Sequence, residues 1–268
     1  MPEGPEVKRF GADLAKAVSG KRIADIQVMS GRYTKKPLPG LDDLNNSLPT
    51  RVIGVGVHGK FLYWIMDNSY FLHSSLGMTG HWGRKLHKHS RVKILFDDNS
   101  CVYYTDQRNF GTLKFVYGKT ALTKKIDKLG PDMLSEDVTH FKFANRVRKK
   151  KNWTIAKAIM DQAVISGVGN YVKAEALWRA ELSPHRQVDT LTDIELYSLN
   201  DSIKSVLRDS YRSGGATIRS YKTFDGASGQ YSRRFAVYNQ KEDPNGLEVI
   251  KEKTTDGRTT HWVPKVQK

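Results

Sequence analysis

The chain of 268 residues has a single cysteine, Cys101. One thiol excludes an intrachain disulfide framework and any zinc site built on several thiolates, and it points to a reducing compartment. No apolar run approaches the roughly 20 residues that cross a bilayer, so no membrane partner is expected. No charged-then-apolar leader opens the sequence, so the expected location is intracellular: cytoplasm or nucleoid in a bacterium, nucleus in a eukaryote. Acidic residues are few beside basic ones, 28 against 44, which leaves a net charge of +16. That balance calls for a polyanionic partner, with nucleic acid ahead of a membrane surface. It defines a class of partner and no chemistry.

What is present is enough for a real core, with 38% hydrophobic residues and length for one or two domains. Val7, Phe10, Leu14 and Val18 recur at helical spacing and predict a helix over 5–18, stopped by Gly20. From Lys21 to Val116 the pattern turns to short strands: 23–28, 51–57, 61–66, 70–72, 92–96 and 102–104. Asp97-Asp98-Asn99-Ser100 forms a hairpin turn between the last two. Such a series predicts a β-sandwich or flattened barrel. The second half is helical. A basic stretch over 142–152 leads into a helix over 154–162. Gly167-Val168-Gly169-Asn170 breaks the period before helices over 171–180 and 192–211. The tail over 235–266 reads as β-hairpins, with turns at Asp243-Pro244-Asn245-Gly246 and Thr255-Asp256-Gly257-Arg258.

Two stretches carry chemistry of their own. Removal of Met1 from Met1-Pro2-Glu3-Gly4-Pro5-Glu6-Val7 would free a secondary amine at Pro2. An α-amine has a pKa of about 8 and is a nucleophile near neutral pH. Condensed with an aldehydic carbon it becomes a cationic iminium, an electron sink for elimination, and Glu3 can move protons beside it. The same residues are also an ordinary helix start. At Gly169-Asn170 a helix opening offers backbone N–H groups and the positive dipole end to a phosphate, with the Asn170 amide as a further donor. Asn170 is equally well read as an N-cap.

Five blocks occur in an order shared with a known family: Met1 to Val7; Gly59-Lys60-Phe61-Leu62; Leu76-Gly77-Met78-Thr79-Gly80; Asp106-Gln107-Arg108-Asn109-Phe110-Gly111; and Asp161-Gln162 through Gly167-Val168-Gly169-Asn170-Tyr171 to Glu175. On these blocks the chain resembles the formamidopyrimidine-DNA glycosylase/endonuclease VIII family of base-excision repair enzymes, nearly end to end. The resemblance implies an α+β fold: an N-terminal β-sandwich with its helix over 1–132, a helix–two-turn–helix domain over 133–232 and a β-hairpin finger over 233–268. It implies a DNA glycosylase that removes oxidised bases through a Pro2 Schiff base. The abasic strand is then cleaved by elimination, with double-stranded DNA as partner and the protein acting as a monomer. Pro2, Glu3, Lys60 and Arg258 take catalytic roles, supported by Glu6. His89, Arg108, Asn170 and Lys150 contact DNA, Lys151 being the neighbouring alternative to Lys150. Met78, Arg108 and Phe110 fill the gap left by the extruded base.

The sequence departs from family members that carry four finger cysteines. Asn245, Glu248, Val263 and Val266 stand at those positions, so no metal or other cofactor is expected. Trp262, Val263 and Val266 are expected to pack against Val249 and Phe235 instead. Ser75 replaces a histidine found in some members, with His73 two residues earlier on the same strand face. Gly4 matches the endonuclease VIII branch, which points to oxidised pyrimidines. Met78, Phe110 and the loop over 222–230 match the branch that takes oxidised purines, and hydantoins fit both. The rival class is a non-catalytic damage-binding protein on the same scaffold.

Overall fold

A computed structural model of the chain describes residues 2–216, 224 and 229–268. It divides into two compact units. The first holds Pro2 and residues 6–127. The second holds Glu3–Pro5, residues 128–216 and residues 230–268.

Helix α1 (Gly4–Val18) buries Val7, Phe10, Leu14 and Val18, the stripe set by their spacing. Strand β1 (Arg22–Val28) is followed by two short helices, α2 (Arg32–Lys35) and α3 (Leu41–Asn45). Then come β2 (Thr50–His58), β3 (Phe61–Met66), β4 (Tyr70–Ser75), β5 (His81–Gly83), β6 (Ser90–Phe96), β7 (Cys101–Thr105) and β8 (Thr112–Tyr117). All pairings are antiparallel, in the order β5-β7-β6-β1-β2-β3-β4-β8. Strands β1 and β2 share a short register, Arg22 with Arg51 and Ile23 with Thr50, so the sheet folds at this seam into two layers. Trp64 of β3 meets Trp82 of β5 with ring centroids 5.0 Å apart, which places the inner faces of the layers against each other. This is the expected sandwich, continuous at one corner. The β6–β7 turn passes through Asn99 at φ 62, a conformation that asparagine tolerates. Of the loop over 222–230, Phe224, Gly229 and Gln230 lie among the described residues. Phe224 sits 6.3 Å from the Phe10 ring, and the rest of the loop lies outside the described residues. Helix α4 (Lys119–Ile126) follows β8.

In the second unit, α5 (His140–Arg148) and α6 (Ile155–Met160) start at Thr139 and Thr154, whose hydroxyls accept the backbone N–H of Lys142 and Lys157. Helix α5 occupies much of the stretch read only as basic. Its buried Phe143, Ala144 and Val147 are diluted by lysine and arginine on the other face. Helix α7 (Asn170–Arg179) is buried from Tyr171 to Leu177, and α8 (Asp193–Arg212) opens with a Thr192–Glu195 capping box. The tail contains one hairpin where two turns were expected to make more, β9 (Ile250–Lys253) against β10 (Thr259–Trp262). The Asp243–Gly246 turn supports only an isolated bridge, Glu242 with Glu248. In the tail, Val237, Val249 and Val263 form one apolar cluster with Ala174 of α7. No helix among the described residues is long and apolar enough to cross a membrane.

Candidate functional site

The first residues of a chain usually fray. Here Pro2 and Glu3 are buried, and Glu3 is 3% exposed. The Glu3 carboxylate accepts the N–H of Tyr171 at Oε1 (3.0 Å) and of Val172 at Oε2 (3.2 Å). These are first-turn amides of α7, which have no partner inside the helix. The positive end of the helix dipole favours an anion there. The N–H of Gly4 donates to the Gly167 carbonyl at 2.9 Å. Gly169, the residue that caps α7, has no side chain because Glu3 passes where a Cβ would stand. Two of the amides expected to hold a phosphate are therefore donated to Glu3. Nor does Asn170 serve as the cap: it is the first residue inside the helix, and its Nδ2 donates to the Thr259 carbonyl at 2.9 Å.

Hydrogen bonds dock the finger hairpin on the helices. Besides Asn170 with Thr259, the hydroxyls of Thr154 and Thr255 lie 2.6 Å apart, and the buried Lys173 ammonium reaches Asp256 Oδ2 at 2.6 Å. Burial pulls the Lys173 ammonium below its usual value, while the hydrogen bond and charge of Asp256 act in the opposite direction. Arg258 is exposed at the tip, just after Gly257 at φ 76. Glu175 closes the hairpin's other approach, its carboxylate accepting the N–H groups of Ala236, Val237 and Tyr238. Burial raises Glu175 and these three bonds lower it, with a net rise.

The four positions that carry cysteines in some relatives do not form a zinc-binding set. Val263 is fully buried against Val249 and Val237, Val266 packs on the same cluster, and the Asn245 amide lies 3.5 Å from Asp243. Of the four, Glu248 alone offers a carboxylate, and no group of three or more His, Cys, Asp or Glu side chains that could hold a metal ion occurs among the described residues. Zinc prefers thiolate, imidazole and carboxylate donors, which this set does not supply. Two packing expectations are corrected. Trp262 turns to His185 (5.3 Å) and donates to Glu252, and Phe235 joins the rings of Tyr171, Tyr231 and Tyr238.

In the first unit, Met78, Arg108 and Phe110 come together on adjacent loops. Arg108 Nη1 lies 3.1 Å from the Met78 sulfur and its guanidinium 4.7 Å from the Phe110 centroid, with Phe110 55% exposed. Phe110 is thus a surface residue beside a cation, and not a core element. The buried Asp106 builds this feature. Its Oδ1 accepts the Thr79 hydroxyl and the Arg108 N–H, and its Oδ2 accepts the Gly111 N–H at 2.8 Å. Gly77 at φ 59 lets the two loops close, since a Cβ would meet Gly111 N at 2.7 Å.

The remaining expected residues are more dispersed. Lys60 is half-buried in the β2–β3 turn after Gly59 at φ 59, and Glu6 is buried in the first turn of α1. His89 is half-buried, and its imidazole is lowered by desolvation and by Arg91, Lys88 and His87. Lys150 is partly engaged, 3.4 Å from Asp161 and 4.3 Å from the Trp153 ring, whereas Lys151 is exposed. His73 lies edge-on to Phe61 at 5.0 Å. Burial, then Lys125 and Lys114, lower it to about 4, so it is neutral at pH 7. Sequence reasoning did not assign roles to Lys173, Asp256 or Asp106. Only a charge inside the apolar run of α7 hinted at Lys173.

Comparison with known proteins adds three segment matches. Residues 1–113 match the formamidopyrimidine-DNA glycosylase N-terminal domain, 129–222 its H2TH domain and 231–268 its C-terminal domain. The chain is 33% identical over 281 residues to the formamidopyrimidine-DNA glycosylase of Listeria monocytogenes serotype 4b, with both chains covered completely. It is 31% identical over 277 residues to that of Bacillus subtilis strain 168, covering 100% of this chain and 99% of the relative. Among solved structures, MutM (Fpg) from Thermus thermophilus superposes with TM-score 0.88 at 28% identity, over 99% of this chain and 98% of that one. A Lactococcus lactis Fpg mutant in complex with Fapy-dG-containing DNA superposes with TM-score 0.89 at 27% identity, over the whole of both chains.

Proposed function

Since the chain belongs to the formamidopyrimidine-DNA glycosylase family, we propose that it is a bifunctional glycosylase and abasic-site lyase. It would remove oxidised bases from double-stranded DNA through a Schiff base on Pro2. The observation that carries this reading is the anchored chain start. A binding module has no use for a buried N-terminal proline beside a glutamate whose two oxygens are each seated on a helix amide.

In this reading Met1 is removed and the Pro2 nitrogen attacks C1′ of the damaged nucleotide. The base leaves with the electron pair of its C1′ bond, and the Glu3 carboxylate takes the proton from the Pro2 nitrogen and passes it to the sugar ring oxygen as the ring opens to the iminium. The iminium between Pro2 and the deoxyribose acidifies the C2′ proton, so the 3′ phosphate is eliminated first and the 5′ phosphate second. Lys60 protonates a departing group, and Arg258 holds a phosphate for the second elimination. Glu6 supports the site from the first turn of α1. Met78, Phe110 and Arg108 enter the stack where the nucleotide was extruded, the first two as bulk and the last as a donor to the widowed base. His89, Lys150 and Asn170 contact the backbone, and the net charge of +16 makes binding fall steeply with salt. Hydantoins, oxidised pyrimidines and 8-oxoguanine-type purines form the substrate class. The finger works without zinc, held by its valine cluster and the ties to α7.

A nicking assay on a duplex with one abasic site tests the reading. Strand cleavage that disappears in Pro2→Gly is expected. Tight binding of the same duplex with no cleavage by protein lacking Met1 would leave a damage-binding protein instead.

A further inference from the structure

Lys173 and Asp256 are 83 residues apart in sequence and form an ion pair with side chains 0% and 4% exposed. Pairs such as Arg148 with Asp193 and Lys204 with Asp137 instead keep at least one partner more than half exposed. Burying two charges costs more than their attraction returns unless the geometry is good and the remaining lone pairs are satisfied. Here they are satisfied in a specific way. While Asp256 Oδ2 takes the Lys173 ammonium, Oδ1 accepts the Thr254 hydroxyl at 2.6 Å and the Arg258 N–H at 3.1 Å. The turn is then closed by Gly257 N–H to the Thr254 carbonyl at 2.9 Å and by Thr254 N–H to the Arg258 carbonyl at 3.0 Å. One carboxylate thus reads the position of α7 with one oxygen and sets the backbone that carries Arg258 with the other. Lys173 lies one turn beyond Gly169, and its charge also interacts with those of Glu3 and Arg258.

We propose that Lys173 and Asp256 are a buried latch that fixes the Thr254–Arg258 turn to helix α7, so that Arg258 is presented to DNA in one orientation. The functional half rests on the reading of Arg258 as a phosphate clamp. The latch residues are positioning residues, since both side chains are buried. A loose turn would still carry the guanidinium, but in many orientations, and each encounter with DNA would have to order it again.

The test combines amide hydrogen exchange with affinity for a duplex containing a tetrahydrofuran abasic-site analogue, using the full chain. Lys173→Met is expected to speed exchange at the Gly257 and Arg258 amides about tenfold while α8 amides stay unchanged. Affinity should fall about fivefold, and Lys173→Arg, which keeps the charge, should recover most of both. Asp256→Asn should loosen the turn in the same way. In an Arg258→Ala background Lys173→Met should change affinity less than about twofold, because the residue it positions is gone. Unchanged turn exchange overturns the latch. A full fivefold loss that persists in the Arg258→Ala background overturns action through Arg258. Full affinity in Arg258→Ala alone, with a loosened turn in Lys173→Met, removes the DNA role of Arg258 and leaves the latch standing.

Discussion

Gly169→Ala tests the seat of Glu3 most sharply. Gly169 has φ −129 and ψ −159, extended backbone that alanine adopts without strain. A Cβ there would lie 2.5 Å from Glu3 Cγ and Oε1 and closer still to Cδ. A glutamate head can swing aside, so the cost is not the collision itself. It is the loss of the two amide donors from Tyr171 and Val172. Hydrogen bonds to a charged group contribute about 1.5–3 kcal/mol each, and partial rehydration of the carboxylate recovers part of that. We expect a loss of about 3 kcal/mol, read as a fall in Tm of about 6 °C or more. Displacing a catalytic group by about 1 Å costs on the order of a hundredfold, so cleavage of abasic-site DNA should slow by about that factor. In a Glu3→Ala background the same substitution should cost only the N-cap preference of glycine over alanine, about 1 kcal/mol or less. Equal costs in both backgrounds, or wild-type cleavage by Gly169→Ala, would show that the space at Gly169 does not seat Glu3.

Asp106→Ala removes the acceptor shared by Thr79, Arg108 and Gly111, and should lower unfolding free energy by about 2–4 kcal/mol in urea and weaken DNA binding. A change under about 0.5 kcal/mol would contradict its role in building the Met78–Arg108–Phe110 surface. His261 packs on Tyr238 at 4.9 Å and is lowered to about 4 by burial, then by Lys251 and Lys173. Its folded value lies below its unfolded one, so the unfolded chain binds the proton first, and stability present above about pH 6.5 is lost as pH falls toward 4. His261→Phe should therefore lose less Tm than wild type between pH 7 and pH 5, and an equal loss would count against this assignment. Treatment with a strong zinc chelator should leave Tm and DNA affinity unchanged, whereas a drop reversed by zinc would show that the finger needs metal.

Much of the fold was legible because one face of each element is buried. The stripe Val7, Phe10, Leu14, Val18 follows directly from that constraint, whereas β1, read as alternating, buries Ile23 and Ile26 three residues apart because its register shifts between Ile23 and Asp25. Helix α5 was missed because lysines and arginines interrupt its apolar residues, and tertiary packing of Phe143 and Val147 decides the matter. Trp262 ends β10 facing His185 and Glu252, and it is Val263, just past the strand, that enters the valine cluster. Residue types in order singled out Pro2, Glu3, Asn170, Met78, Arg108 and Phe110. What the order could not show was how they are held. Asp106 and Asp256 act on backbone amides, and Lys173 meets its partner only after 83 residues of chain have folded back.

In the proposed reaction the Pro2 nitrogen becomes bonded to the sugar. Borohydride added during reaction with oxidised-base DNA, followed by proteolysis and mass spectrometry, measures that bond directly. A reduced deoxyribose adduct is expected on the peptide beginning at Pro2, absent from Pro2→Gly and from protein that retains Met1. An adduct mapped to a lysine such as Lys60, or none during active strand cleavage, would contradict it.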